Sequence, residues 1–325
     1  MDFMMKILYF VSKIRLPFLD VFFLNVTKLG EEVVFLAVAI TFYWCVNKRQ
    51  GYYILITGLV GTVSNQILKA TFKIPRPWVY DNSFPVVTGS AEMATGYSFP
   101  SGHTQNAVGT FGAIAKCSKY RPVRIFLIVL IACVAFSRIY LGVHTPVDVI
   151  VSLVIGYVLL ALLYKVFDTE EHFEKYMPYV VCISFAFALS LLLLAIFLFD
   201  GNSADNNAVV QLENASAIFG ATVALIPAYF VDRKYIRFDT GARWYAQVIK
   251  FVLGLALVLL LKEGLKQPFI YVFGNHFLAR GIRYFTVVIF ASLIYPLTFK
   301  YFSKMKIPFL DRFTEKIKQK IGAKK

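Results

Sequence analysis

The 325-residue chain is 58% hydrophobic and 16% charged, with a mean hydropathy of +0.64. An average soluble domain is about 45–50% apolar and about 25% charged, so this composition excludes a disordered, collagen-like or disulfide-stapled chain and points to an integral membrane protein. The 34 Lys and Arg against 19 Asp and Glu lie between long apolar runs, which argues against a nucleic-acid partner and for orientation signals and anchors at anionic headgroups.

In chain order, Met1–Phe23 is apolar but broken by Lys6, Lys13, Arg15, Pro17 and Asp20, and reads as an amphipathic interfacial helix or a poor first span. No small-residue cleavage site follows it. A span needs about 20 mostly apolar residues. Segments of that kind run over approximately Val33–Val46, Tyr52–Phe72, His103–Ala115, Arg124–Val143, Val147–Phe167, Tyr179–Phe199, Ala215–Val231, Trp244–Leu261 and Ile282–Phe302. The third is small and moderately polar, which suits a helix buried among others. Cys45, Cys117, Cys133 and Cys182 lie in or beside these segments without metal-site spacing, and read as buried small apolar residues.

Nine spans place the loops alternately on two sides, one holding 20 basic residues and the other 12. The richer side is assigned to the cytoplasm. The loops around Arg76–His103 and Arg138–His144 then face the extracytoplasmic side of a multi-pass protein in a bacterial-type cell membrane, with the C-terminus cytoplasmic. The tail Ser303–Lys325 reads as a basic helix against the inner leaflet.

Three polar clusters interrupt the first five spans: Lys69-(six residues)-Arg76-Pro77; Pro100-Ser101-Gly102-His103; and Ser137-Arg138-(five residues)-His144-(three residues)-Asp148. Charged residues at membrane depth are costly and mark functional sites by default. Alone, each has a structural explanation: Lys69 snorkelling to the interface, Ser101 capping a helix, His144 and Asp148 as a satisfied polar pair. Together and in this order they fit a phosphoryl group. Lys69, Arg76 and Arg138 supply fixed positive charge, and a guanidinium grips two oxygens at once. Ser101-Gly102-His103 opens a helix, where free N–H groups and the dipole attract an anion and glycine permits close approach. His144 and Asp148 stand four residues apart, so a carboxylate can fix one imidazole nitrogen and leave the other to attack. His103 remains as proton donor to a leaving oxygen. No His/Cys/Asp/Glu grouping argues for a metal, and no cofactor is implied.

Taken together, these motifs resemble the signature of the type 2 phosphatidic acid phosphatase (PAP2, lipid phosphate phosphatase) family, the membrane branch of a superfamily shared with vanadium haloperoxidases. The resemblance implies an all-α polytopic bundle with a six-helix core over residues 1–167, followed by an additional membrane region of about four spans over 168–302 and the basic tail 303–325. It further implies that His144, oriented by Asp148, becomes phosphohistidine and that His103 protonates the departing group. Lys69, Arg76, Ser101, Gly102 and Arg138 would hold the non-bridging oxygens, without a metal. The implied substrate is a membrane lipid phosphate or diphosphate of the undecaprenyl diphosphate, phosphatidate, phosphatidylglycerol phosphate or sphingoid phosphate class. A phosphotransferase using the same site, or a non-enzymatic lipid transporter, are the alternatives.

In the C-terminal half, Lys262-Glu263-Gly264-Leu265-Lys266-Gln267-Pro268 echoes Lys69–Pro75, but Phe269 stands where Arg76 does, so a second active site is not expected. Asp200–Asn207 reads as a turn, His172 as solvated and His276 as a loop residue. Arg280 and Arg283 flank the last span and are candidates to help hold a headgroup.

Overall fold

The structure, a computed structural model, describes residues 1–92, 94–199, 206–274 and 276–322. Among these it is helical, with no strands. The N-terminal stretch is not one helix. Pro17, at the first position of a new helix, splits it into α1 (Asp2–Ser12) and α2 (Pro17–Val26). A short turn, Thr27–Gly30, leads from α2 into α3 (Glu32–Thr41), which continues as a π-helical turn to Val46. The two parts form one bent pair with a 51° break.

Asn47 accepts from the backbone of Gln50 and opens α4 (Lys48–Phe72). Lys73 ends α4 in the left-handed region at φ 49°, which turns the chain so that Arg76 and the short α5 (Pro77–Tyr80) come back over the helix end. A long loop then reaches α6 (Gly102–Ala107), which runs through a π-helical turn into α7 (Ala113–Cys117). The spans α8 (Arg121–Tyr140), α9 (Pro146–Phe167), α10 (Glu170–Leu198), α11 (Asn206–Val231) and α12 (Trp244–Gly264) follow. They are succeeded by α13 (Lys266–Phe273), α14 (Phe277–Ile289), α15 (Phe299–Lys304) and α16 (Pro308–Gly322).

All nine predicted spans are helical, and six stretches among the described residues are long and apolar enough to cross a membrane by themselves. Val33–Val46 is the second arm of the bent pair. The segments inside α4 and α6–α7 carry the buried polar residues Asn65, Lys69, Thr104 and Gln105, and are enclosed by their neighbours. Large apolar side chains such as Phe126, Leu162, Ile183 and Phe197 point outward, a liability in water that is ordinary against lipid. The cysteines correct the sequence reading. Cys45, Cys117 and Cys133 are only half-buried and Cys182 is exposed, because they sit on partly or fully outward helix faces. Most of Asp200–Asn207, and the last three residues of the basic tail, lie outside the described residues.

The two halves of the chain share one core. Tyr43, Trp44 and Tyr52 pack with Tyr229, Phe238, Tyr295 and Phe299 in a single buried cluster. Trp44 Nε1 donates to Ala291 O at 2.9 Å, Lys250 Nζ to Trp44 O at 2.8 Å, and Lys48 pairs with Asp232 at 2.7 Å. Helices α11 and α14 cross at glycines. A Cβ on Gly220 would come within 2.0 Å of the Gly281 carbonyl oxygen, so the backbones touch. Gly220→Val should therefore lower the melting temperature of the detergent-solubilised protein sharply. Gly264→Ala, where an added Cβ meets nothing within 4 Å, should leave it unchanged.

Candidate active site

Four pieces of chain converge at one end of the bundle: the end of α4, the loop after it, the start of α6, and the turn between α8 and α9. Hydrogen bonds between them hold the loop down. Ser98 N donates to Ile74 O at 2.8 Å, and Ser101 N donates to Asp148 O at 3.1 Å. On the outer side, α1 and α2 clamp the same loop. Tyr9 Oη donates to Asp81 at 2.9 Å, and Arg15, between α1 and α2, donates through Nη1 to Pro85 O at 2.5 Å.

His144 lies in the α8–α9 turn, 1% exposed. Its Nδ1 is 3.2 Å from Asp148 Oδ2 and its Nε2 is 2.8 Å from Arg76 Nη1. A carboxylate only accepts and a guanidinium only donates, so these partners assign the proton to Nδ1 and the lone pair to Nε2. Asp148 is held in turn. Its Oδ2 accepts from Ser98 Oγ at 2.6 Å and from Thr145 N at 2.9 Å, while Thr145 Oγ1 accepts from Asp148 N at 3.3 Å. This reciprocal capping box starts α9, so one carboxylate both opens the helix and orients the imidazole.

Arg76 is fixed by backbone carbonyls. Nε donates to Gly96 O at 3.0 Å, Nη1 to Val143 O at 3.0 Å and Nη2 to Thr95 O at 2.7 Å. Lys69 Nζ reaches the next two carbonyls, Tyr97 O and, at 3.2 Å, Ser98 O. Arg138 Nη1 donates to Thr27 Oγ1, while its Nε, also buried, meets no acceptor. Ser101, fully buried, caps α6, its hydroxyl accepting from Thr104 N at 3.4 Å and from Thr104 Oγ1 at 3.0 Å. A Cβ on Gly102 would meet nothing within 4 Å, leaving open space at the first turn. His103 follows, within electrostatic reach of Arg138, Arg76 and Lys69. A Cβ on Gly30 would fall 2.7 Å from His103 O, so the missing side chain lets α6 seat against the Thr27–Gly30 turn.

All eight predicted residues thus come to one end of the bundle. Lys69, Arg76 and Arg138 are each at least nine-tenths buried, against the carboxylates of Asp148 and, beside Arg138, Glu31. The excess is positive. An uncompensated buried charge costs on the order of several kcal/mol, which an incoming anion would relieve. Burial, with the Arg76 charge behind it, holds the His144 imidazole well below the ordinary histidine value of 6.5, although the Asp148 contact pulls the other way. Arg76 is itself drawn down to about 10 by burial and stays charged at neutral pH.

Ser98 was not visible as a site residue in the sequence, although its hydroxyl completes the cage around Asp148. Thr27, the partner of Arg138, is a second such residue. Elsewhere, His172 is half-exposed and joined to Asp168 at 2.8 Å. His276 caps α14, accepting from Leu278 N at 3.3 Å. Arg280 pairs with Glu213 on α11 at 2.5 Å. Among the described residues no three His, Cys, Asp or Glu side chains gather as metal ligands.

The sequence matches the family model of the PAP2 superfamily over residues 49–171, and that of the PAP2 superfamily phosphatase transmembrane extension over residues 215–306. It is 31% identical over 172 residues to phosphatidylglycerophosphatase B of Bacillus subtilis, covering 48% of this chain and 79% of that one. It is 31% identical over 159 residues to a probable sphingosine-1-phosphate phosphatase of Dictyostelium discoideum, covering 45% and 38%. It is also 31% identical over 127 residues to undecaprenyl-diphosphatase BcrC of Bacillus subtilis, covering 39% and 63%. The chain thus spans less than two thirds of the length of the last two relatives.

Proposed function

The chain belongs to the PAP2 superfamily, and from that membership we propose that it is a membrane phosphatase releasing phosphate from a lipid phosphate or diphosphate through a phosphohistidine on His144. The observation that carries this reading is the buried chain Asp148–His144–Arg76, with 3.2 Å on one side of the ring and 2.8 Å on the other. It presents a neutral imidazole, lone pair outward, to a cluster of fixed cations.

In this reading the phosphate oxygens take the place of Nε2 as partners of Arg76, and Lys69, Arg138 and the α6 start complete the cradle. His144 Nε2 attacks phosphorus and the bond to the leaving oxygen breaks. His103 gives that oxygen its proton. The imidazolium created at His144 is stabilised by Asp148, whose carboxylate cannot turn away because Ser98 and Thr145 hold it. Water then attacks the phosphohistidine, passing a proton to His103, and inorganic phosphate leaves with both histidines restored. The relatives' names span sphingoid, isoprenoid and glycerol phosphates, which supports an amphiphile as substrate without choosing among them. The basic balance of the loops, 20 against 12, supports an extracytoplasmic site.

The test is phosphate release by the purified protein in EDTA from undecaprenyl diphosphate, phosphatidate, phosphatidylglycerol phosphate and a sphingoid phosphate, with a labelled acceptor lipid alongside. Free phosphate from at least one substrate is expected. Label appearing only on the acceptor would make the protein a transferase, and no turnover at all would overturn the reading. The pH profile is a second check. The attacking form is neutral His144 and its pKa is lowered, so the competent form persists as pH falls, and the acid limb of kcat/KM should lie below pH 6.5.

A further inference from the structure

An apolar cavity of about 350 Å³ begins beside the candidate site and continues between the signature helices and the C-terminal ones. On α4 it is lined at positions 52, 55, 59, 62, 66 and 69, a spacing of three and four that keeps one helix face inward along most of the helix. Helices α3, α11, α12 and α14 present stripes of the same period, so the cavity lies along the helix axes as a shaft. Tyr52 to Lys69 is 17 residues, or about 25 Å at about 1.5 Å per residue, most of the roughly 30 Å of a bilayer's hydrocarbon.

The shaft is polarised. At the catalytic end every lining helix offers a polar residue: Glu32, Gln66, Lys69, Asn214, Lys262 and Arg280. The carboxamide oxygens of Asn65 and Gln66 are buried there with no donor. Between the ends the lining is mainly Leu, Ile, Val and Ala, with Phe35, Thr62 and Tyr284 among them. The far end is lined by Tyr43, Trp44 and Tyr52 of the aromatic cluster that joins the two halves, with Ser292 beside them. Gly102 belongs both to this mouth and to the start of α6, so shaft and cradle are continuous. An apolar bore under a mainly cationic mouth complements one kind of molecule, a long straight chain with an anionic head.

We propose that this shaft receives one hydrocarbon chain of the phosphorylated substrate, and that the C-terminal membrane region, by forming the outer wall, sets chain-length selectivity. The proposal rests on the reading of the site as a lipid phosphatase. With the head at Lys69, a long chain fills the bore down to Trp44, whereas a short chain leaves it largely unused. Selectivity for long chains then resides in α11, α12 and α14, outside the catalytic signature, and is separable from the chemistry.

The experiment compares kcat and KM for a short-chain and a long-chain monoalkyl phosphate in the unmodified protein and in Ala221→Trp and Leu59→Trp, which fill the bore from opposite walls. Leu193→Trp, on the outward face of α10 and 57% exposed, is the control. Both bore variants should lower kcat/KM for the long chain by at least about tenfold, mainly through KM, leave the short chain within about twofold, and leave the control unaffected. Where a tryptophan variant does not fold, Ala221→Leu should give the same loss in smaller measure. Hydrolysis with an unchanged long-to-short ratio in the folded variants would overturn the shaft alone. Failure of the unmodified protein to release phosphate from either chain would overturn the site reading and the shaft with it.

Discussion

Replacing His144 by alanine should lower phosphate release from a lipid phosphate by roughly 10⁴-fold or more while the protein still folds. The magnitude follows from the role: without Nε2 no covalent intermediate forms, and the remaining cations can only bind substrate. The fold should survive because the neighbours keep other partners. Arg76 retains the carbonyls of Gly96, Val143 and Thr95, and Asp148 retains Thr145 N and the Ser98 hydroxyl. Substrate affinity should therefore fall far less than turnover. The measurement is single-turnover labelling with a phosphate-labelled substrate followed by alkaline quenching, which preserves phosphohistidine. The unmodified protein should carry label and His144→Ala should not. Near-normal turnover in the variant, or label retained on it, would remove His144 from the reaction.

How much of this was legible in the sequence depends on whether a residue's role is local. The spans were legible because a bilayer demands long apolar runs, and α9 was legible from Pro146 at its first turn. The three clusters were legible because buried charge is too costly to be incidental. The N-terminal stretch misled because its apolar content suggests one helix, while Pro17 starts a second one. The cysteines misled because an apolar segment does not say which of its faces meets lipid. Ser98 was hidden for another reason. It is one polar residue in a long loop without periodicity, and it reaches Asp148 only because Ser98 N binds Ile74 O and Ser101 N binds Asp148 O. Arg280 was legible as a cation on the catalytic side, but its pairing with Glu213 depends on the glycine crossing of α11 and α14.

The other large effect should come from His103→Ala, and its size should depend on the leaving group. In the proposed reaction His103 protonates the oxygen that departs, a role generally worth about 10² to 10⁴-fold. An alkyl alcohol leaves poorly as its anion, so a lipid monophosphate should suffer that full loss. The phosphate leaving a diphosphate is a better anion and should suffer less. An aryl phosphate, whose phenolate leaves unaided, should be attacked by His144 nearly as fast as before. A second consequence separates this from mere misfolding. With His103 gone, the water that clears the phosphohistidine lacks its base, so label should accumulate on the protein with the aryl substrate even as steady-state turnover drops. The side chain lies on the first turn of α6, within electrostatic reach of Lys69, Arg76 and Arg138, and in the proposed reaction it serves the departing alcohol and the incoming water in turn. Equal losses on alkyl and aryl substrates, with no build-up of label, would show that His103 shapes the site rather than moving its proton.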